Sequence, residues 1–107
     1  MGIAFLTLMF LPVPERRRLL ATLRGKVKPG GAIIVVDKEE SPGGYPATVL
    51  SRLTWDCKLR QGAEPGAVMR KELSLSGVQR PLYHGELGPD AVEVFRFGDF
   101  AGWLIEA

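Results

Sequence analysis

The chain has 107 residues, of which 46% are hydrophobic and 24% are charged, and its 14 Lys and Arg against 12 Asp and Glu leave a net charge of +2. The length allows one domain, and the composition excludes a disordered segment, a collagen-like repeat and a disulfide scaffold. This small positive excess does not indicate nucleic-acid binding. Cys57 is the only cysteine, which excludes an internal disulfide and a Cys-based zinc site. We therefore expect a cytoplasmic protein without a metal site.

An apolar run over residues 3–10, interrupted only by Thr7, opens the chain. A signal peptide is the alternative, but no positive residue precedes the run and no small-residue cleavage site follows it. The run is also far shorter than the ~20 residues that span a bilayer. Short apolar runs of this kind form strands that are covered on both faces, as in parallel sheets. The sequence predicts a buried strand here and no membrane association.

A helix and a second strand follow this run. Pro14 and Glu15 suit the first turn of a helix, because proline has no N–H to leave unpaired there and the carboxylate complements the helix dipole. Leucines then recur at spacings of three and four up to about Val27. A Pro-Gly-Gly turn precedes a β-branched run over 32–36 that ends at Asp37. Strand, helix and strand make one right-handed βαβ unit, so the predicted fold class is α/β.

The rest of the chain predicts two helices, a loop and a hairpin. The first helix has its apolar residues on one face, whereas the second has a less regular period. The loop is rich in Pro and Gly, and a Gly-Asp pair between two alternating runs indicates a type II′ turn. The predicted segments are a helix over 47–60, a helix over 64–76, a loop over 77–90 and strands over 92–97 and 100–105.

Six Lys and Arg residues occur between Arg16 and Lys28. Successive helical residues point about 100° apart, so the triplet Arg16–Arg18 spreads around the helix instead of forming a stripe. We therefore favour a solvated helix face over a phosphate-binding surface. Trp55 and Trp103 are expected to be core aromatics, since large aromatic side chains contribute much of their area to the core.

Several short motifs in these segments resemble one enzyme family. They are Leu6–Leu11, Pro14–Arg16, Leu19, Leu20, Leu23, Pro29–Ala32, Asp37, Lys38 and Phe95–Trp103. Together they resemble the second half of the class I S-adenosylmethionine-dependent methyltransferases, in particular the branch of carboxy-S-adenosylmethionine synthase and its relatives in tRNA wobble-uridine modification. The resemblance implies S-adenosylmethionine as the cofactor. It also implies a partial Rossmann-like sheet that begins at the family's fourth strand and ends in its last antiparallel hairpin.

The same resemblance implies that residues 1–107 form a single partial domain without the N-terminal cofactor-binding half. Gly30 and Gly31 precede a strand, whereas the Gly-rich cofactor loop follows one, so this pair cannot form that loop. Such a truncated methyltransferase would be inactive on its own. Its first strand would have an unpaired edge. We expect another protein chain, self-association into an oligomer, or an upstream segment to cover that strand.

The resemblance assigns the candidate site residues to two groups. The expected cofactor contacts are Phe5, Leu6 and Thr7. The expected substrate contacts are Lys38, Arg70, Lys71 and Tyr83. The methyl acceptor would be an RNA or a small molecule, and the pattern indicates no catalytic residue.

Ordinary structural roles compete with these assignments. Apolar residues such as Phe5 are more often plain strand core, and Asp37 with Lys38 would more often be a solvated ion pair than an acid and a base. His84 is expected to be a surface side chain, since no second His accompanies it. Glu72 stands where the carboxy-cofactor branch has an Arg, and its charge would repel the extra carboxylate of that cofactor. The alternative function is a non-catalytic interaction protein that retains half of the fold.

Overall fold

A computed structural model of the chain describes residues 1–107, and the chain folds into four strands and three α-helices, which confirms the α/β class. In chain order the elements are β1 (Gly2–Phe5), a short 3₁₀ turn (Leu8–Phe10), α1 (Val13–Lys26), β2 (Ala32–Lys38), α2 (Tyr45–Arg60), α3 (Pro65–Ser74), β3 (Val92–Phe97) and β4 (Phe100–Glu106). None of the helices combines the length and the apolar character that crossing a membrane requires.

The strands form one mixed sheet in the order β1-β2-β4-β3. β1 and β2 are parallel, whereas β4 runs antiparallel to both β2 and β3. The predicted βαβ unit and the predicted hairpin are therefore confirmed. Gly98 has a φ of 60°, which a type II′ turn needs at its first central position. The hairpin joins the sheet through β4, so β1 and β3 are the two edge strands.

The chain divides into two compact units. Residues 1–40 and 80–107 hold the sheet and α1, and residues 41–79 hold α2 and α3. No residue of α2 or α3 is buried. The expectation that Trp55 on α2 is a core aromatic is therefore wrong, because its side chain is 36% exposed. Trp103 on β4 is 7% exposed, which confirms it as part of the core.

One face of the sheet carries the core, and we call it the covered face. Its buried side chains are Ala4, Ile33, Val35, Trp103 and Ile105. Three residues of α1 that share one helical stripe pack against this cluster, and they are Leu19, Leu20 and Leu23. The βαβ unit therefore covers the sheet on one side only.

The predicted first strand over 3–10 is wrong in its length and in its burial. β1 ends at Phe5, Leu6 has a positive φ of 50°, and Leu8–Phe10 form the 3₁₀ turn. Thr7 is the only interruption of this apolar run, and a single threonine does not signal a turn of the backbone, because threonine is common in strands. Ile3 and Phe5 are 59% and 62% exposed, so only one face of β1 is covered.

The prediction of a solvated basic face on α1 is wrong for Arg16. Its side chain is 1% exposed, and its Nη1 lies 2.8 Å from Oε1 of Glu86, whose side chain is 4% exposed. Its Nε donates to the carbonyl of Leu11 at 2.9 Å, and its Nη2 donates to the carbonyl of Arg80. These bonds tie the first turns of α1 to residues 80–86. Helical periodicity cannot reveal a partner that is 70 residues away in the sequence.

Replacing Arg16 by Met should lower the free energy of unfolding by about 3–5 kcal/mol, because the buried Glu86 carboxylate then lacks its partner. Urea denaturation followed by circular dichroism measures the loss. Arg18→Met is the matched control, since Arg18 pairs with Glu15 through side chains that are 76% and 48% exposed, and it should cost less than about 1 kcal/mol. Equal losses of stability for Arg16→Met and Arg18→Met would contradict the buried ion pair between Arg16 and Glu86. If Arg16→Met does not fold, Glu86→Gln should still lower the free energy of unfolding by more than Arg18→Met does.

Phe95 lies across β4 at Gly102, on the face of the sheet opposite to the core. The two residues are partners in the β3–β4 ladder, and the register shifts between Glu93 and Phe95. A Cβ built on Gly102 would overlap the Phe95 ring. The absence of a side chain at Gly102 therefore makes room for the ring, an arrangement in which an aromatic side chain shields a glycine in a strand.

Gly102→Ala should lower the free energy of unfolding by about 1–3 kcal/mol, because the new methyl group forces the Phe95 ring off the strand. Gly25→Ala is the matched control: Gly25 lies inside α1 with open space where its Cβ would be. That change should raise the stability by up to about 1 kcal/mol through helix propensity. Chemical denaturation of both variants checks this, and a gain in stability for Gly102→Ala would show that the contact with Phe95 is not a close one.

Candidate functional site

The carboxyl ends of β1 and β2 lie next to each other. Phe5 pairs with Val36, and the N–H of Leu6 donates to the Val36 carbonyl at 2.7 Å. Lys38 ends β2 two residues further on. Ligands of open α/β sheets bind outside the carboxyl ends of parallel strands. The structure therefore places four predicted site residues in a suitable position, and we call them the carboxyl edge: Phe5, Leu6, Thr7 and Lys38.

The turn after β1 has an uncommon backbone conformation. Leu6 is the one non-glycine residue with a positive φ, a conformation that costs an ordinary residue on the order of 1–3 kcal/mol. Thr7 is exposed, and its Oγ1 donates to the Phe5 carbonyl at 2.9 Å. Phe5 is itself exposed and is not strand core. Backbone strain of this kind is concentrated at binding sites, where surrounding contacts enforce it.

Asp37 supplies one of those enforcing contacts. Its carboxylate is fully buried and accepts hydrogen bonds from the N–H of Leu8 at 2.8 Å and from the N–H of Lys38 at 3.1 Å. Burial raises the pKa of Asp37, while the backbone hydrogen bonds and the charge of Arg16 oppose that rise. The expected solvated ion pair with Lys38 is wrong, because the carboxylate bonds to the backbone inside the protein. Asp37 therefore holds the turn after β1 in place.

A cleft of about 320 Å³ begins directly after β2. Glu39 is 9% exposed and accepts a hydrogen bond from Nη2 of Arg96 at 3.0 Å. Arg96 also bonds to Glu93, and this hydrogen bond raises the pKa of Arg96. Tyr83 and Trp103 add aromatic walls. The site is thus a small pocket with aromatic sides and a few fixed charges, which is the usual make-up of a small-molecule site.

Of the predicted substrate residues, Tyr83 lines this cleft, whereas Lys38 does not. Arg70 and Lys71 are exposed on α3, in the unit formed by residues 41–79. His84 is a surface side chain as predicted, at 96% exposure. No group of three or more His, Cys, Asp or Glu side chains that could hold a metal ion occurs in the chain.

Sequence reasoning missed the pair of Glu39 and Arg96. The two residues are 57 positions apart in the sequence, and they meet because β4 lies between β2 and β3 in the sheet. Arg96 lies within the Phe95–Trp103 motif, but no pattern within one element could have joined it to Glu39. Only a prediction of the correct strand order would have placed Glu39 next to Arg96.

Comparison with known proteins gives a distant match. The chain matches no protein-family model. Carboxy-S-adenosyl-L-methionine synthase of Staphylococcus epidermidis is 28% identical to it over 79 residues, which are 74% of this chain and 35% of the relative. This match indicates distant homology to that one enzyme, whose name is that of a carboxy-S-adenosyl-L-methionine synthase. Its mixed four-stranded sheet is compatible with a partial Rossmann-like methyltransferase fold, and the match covers about a third of the relative's length.

Replacing Asp37 by Asn tests its role as a buried anchor. The raised pKa means that the folded chain holds the Asp37 proton more tightly than the unfolded chain does. The stabilisation of the folded chain by this proton is complete below the ordinary Asp pKa of 3.8. It is lost as the pH rises through the raised pKa of Asp37. The free energy of unfolding of the natural chain minus that of Asp37→Asn should therefore fall across this window.

Urea denaturation at a series of pH values measures that difference. Asp90→Asn, on the exposed loop, controls for the loss of one negative charge. A difference that grows as the pH rises would contradict the buried position of the Asp37 carboxylate, because a carboxylate stabilised in its charged form has the opposite pH dependence.

Proposed function

We propose that this chain is the second half of an S-adenosylmethionine-dependent methyltransferase domain and that it is inactive without a first half. The observation that carries the proposal is the sheet order β1-β2-β4-β3, with the parallel pair at a free edge. In the family resemblance, these strands correspond to the fourth and fifth strands and the last hairpin. The match to 35% of the relative agrees with a chain that supplies part of a larger domain.

The residues present fit S-adenosylmethionine along one side only. Phe5–Thr7 offer apolar surface and a hydroxyl at the carboxyl edge, and Asp37 keeps their turn in place. The cofactor, when bound, supplies the methyl group that is transferred. The Gly30–Gly31 pair lies in the turn before β2, where it cannot act as the Gly-rich loop that follows a strand in this kind of fold. Cofactor binding therefore requires a first half that faces the carboxyl edge.

The methyl acceptor would lie near Lys38 and Tyr83. The N–H of Leu82 donates to the Lys38 carbonyl at 2.8 Å, and Glu39 forms a β-bridge with Leu82. These bonds bring Tyr83 and the cleft to the end of β2, next to the carboxyl edge. Glu72 stands where the carboxy-cofactor branch has an Arg, so we propose methyl transfer and not the synthesis of a carboxylated cofactor for this chain.

Isothermal titration calorimetry with S-adenosylmethionine tests the proposal. The chain alone should give no saturable heat up to millimolar ligand while circular dichroism shows a folded protein, because half of the crevice offers too few contacts. Saturable binding by the isolated chain would contradict the incomplete crevice. The coding sequence upstream of Met1 is a second readout, since an in-frame strand followed by a Gly-rich turn would identify the first half.

The same titration separates the proposal from the alternative of a non-catalytic interaction protein. With a first half supplied, the methyltransferase proposal expects saturable binding at ligand concentrations at least ten times below the millimolar limit at which the chain alone gives no saturable heat. A completed, folded complex that still gives no heat with S-adenosylmethionine would favour the interaction protein, whose exposed apolar strand would then serve only to dock a partner.

A further inference from the structure

The side of the sheet opposite to α1 is apolar and exposed in its middle. The alternation of the strands and the ladder registers decide which residues lie on this side. Ile3 and Phe5 are 59% and 62% exposed, and Phe95 is 48% exposed. A contiguous exposed apolar patch of this kind indicates an interaction surface. We call it the open face, and its apolar middle consists of Ile3, Phe5, Ile34, Val36, Val92, Phe95 and Leu104.

Among the strand residues on this side, only Lys38 and Glu106 are charged. Lys38 pairs with Phe100 at one end of the β2–β4 ladder, and Glu106 pairs with Ala32 at the other end. The middle of that ladder lies three residues from each of the two charges, which is about 10 Å at the rise of a strand. The open face therefore has a positive end and a negative end at equal distances from its middle.

The apolar middle of the open face consists of two rows, one on each side of a line that crosses the strands. The row nearer the positive end runs from Phe5 on β1 to Phe95 on β3, and the row nearer the negative end runs from Ile3 to Val92. A half-turn about that line lays the first row of one copy on the second row of another copy. Phe5 then lies on Ile3 and Phe95 lies on Val92. Larger and smaller side chains that face each other in this way interdigitate.

We infer that a second copy of this chain covers the open face, in a symmetric dimer whose two sheets stack with their strands in opposite directions. Twofold interfaces are self-complementary, so each contact of the dimer occurs twice. The half-turn brings Lys38 of one copy to the same end as Glu106 of the second copy. The sheets of such a stack are about 10 Å apart, a gap that these two side chains together can span. The inference goes beyond the proposed function and does not depend on it, because it uses the sheet residues alone.

The two charges distinguish this stack from other arrangements of two copies. A half-turn about an axis along the strands also stacks the open faces, but it places Lys38 of both copies at one end and Glu106 of both copies at the other. Like charges that face each other oppose association. Pairing through the free edges of β1 leaves both open faces exposed to water. The stack with opposite strand directions is therefore the arrangement that matches both the apolar rows and the charges.

The oligomeric state of the chain tests this inference. Analytical ultracentrifugation over a range of protein concentrations should show a monomer–dimer equilibrium with a limiting mass of two chains. Phe5→Asp should raise the dissociation constant at least tenfold, because each dimer then buries two carboxylates among apolar side chains. Leu73→Asp is the matched control, since Leu73 is 67% exposed but lies on α3. It should leave the dissociation constant within threefold of that of the unsubstituted chain, and circular dichroism checks that both variants fold.

Charge reversal tests the orientation of the two copies. Lys38→Glu and Glu106→Lys should each raise the dissociation constant at least tenfold, because each change puts like charges together twice in the dimer. The variant with both changes restores opposite charges, and its dissociation constant should return to within threefold of that of the unsubstituted chain. Within one copy the two residues are about 20 Å apart, so such a rescue arises only between copies. Both residues end their strands, so this comparison does not depend on the folding of Phe5→Asp.

Three results would each overturn the inference. They are a chain that stays monomeric up to millimolar concentration, equal effects of Phe5→Asp and Leu73→Asp in folded protein, and a double charge variant that associates no better than the single ones. None of these results bears on the binding of S-adenosylmethionine, which calorimetry measures separately. A dimer with the charge rescue supports the inference even if the chain takes no part in methyl transfer.

Discussion

The hydrogen bond from the N–H of Leu8 to the buried carboxylate of Asp37 is the contact on which the candidate site depends. It joins the end of β2 to the turn after β1, in a stretch whose apolar sequence contains no other reason to leave the strand. The charge of Arg16 favours the ionised carboxylate against the effect of burial. Arg16 in turn holds Glu86. One series of polar contacts therefore positions the carboxyl edge, α1 and the segment that carries Tyr83.

The two faces of the sheet differ because the chain winds in one direction only. The covered face packs against α1 of the chain's own βαβ unit. Within a single chain, the opposite face of the sheet would be covered only by helices of crossovers that run in the other direction. Each large apolar side chain that is fully removed from water contributes about 1.5–3 kcal/mol. The large apolar side chains on the face opposite to α1 are already partly buried, with exposed fractions from 39% for Phe100 to 83% for Phe97. Covering that face would therefore add only part of this amount for each side chain.

Elements with local signals were predictable from the sequence. The leucine spacing and Pro14 predict α1 within a residue or two of its bounds, and the turn at Gly98 predicts the hairpin. The family resemblance placed Phe5–Thr7 at the carboxyl end of the first strand, and β1 ends at Phe5. Features that depend on distant contacts were not predictable: the end of β1 is decided by Asp37, and Arg16 is buried by a partner that a helical pattern does not contain.

The charges around the α3 basic pair bear on the class of methyl acceptor. Arg70 lies 3.4 Å from Glu64, and Lys71 is followed by Glu72. Two backbone N–H groups at the start of α3 donate to the Glu64 carboxylate and lower the pKa of Glu64, so this carboxylate keeps its charge beside Arg70 except in acid. A phosphate backbone gains affinity from cations that are not already neutralised, and Arg70 on α3 is paired with Glu64. Arg70 is therefore already paired, and its charge does not by itself indicate that α3 binds an RNA.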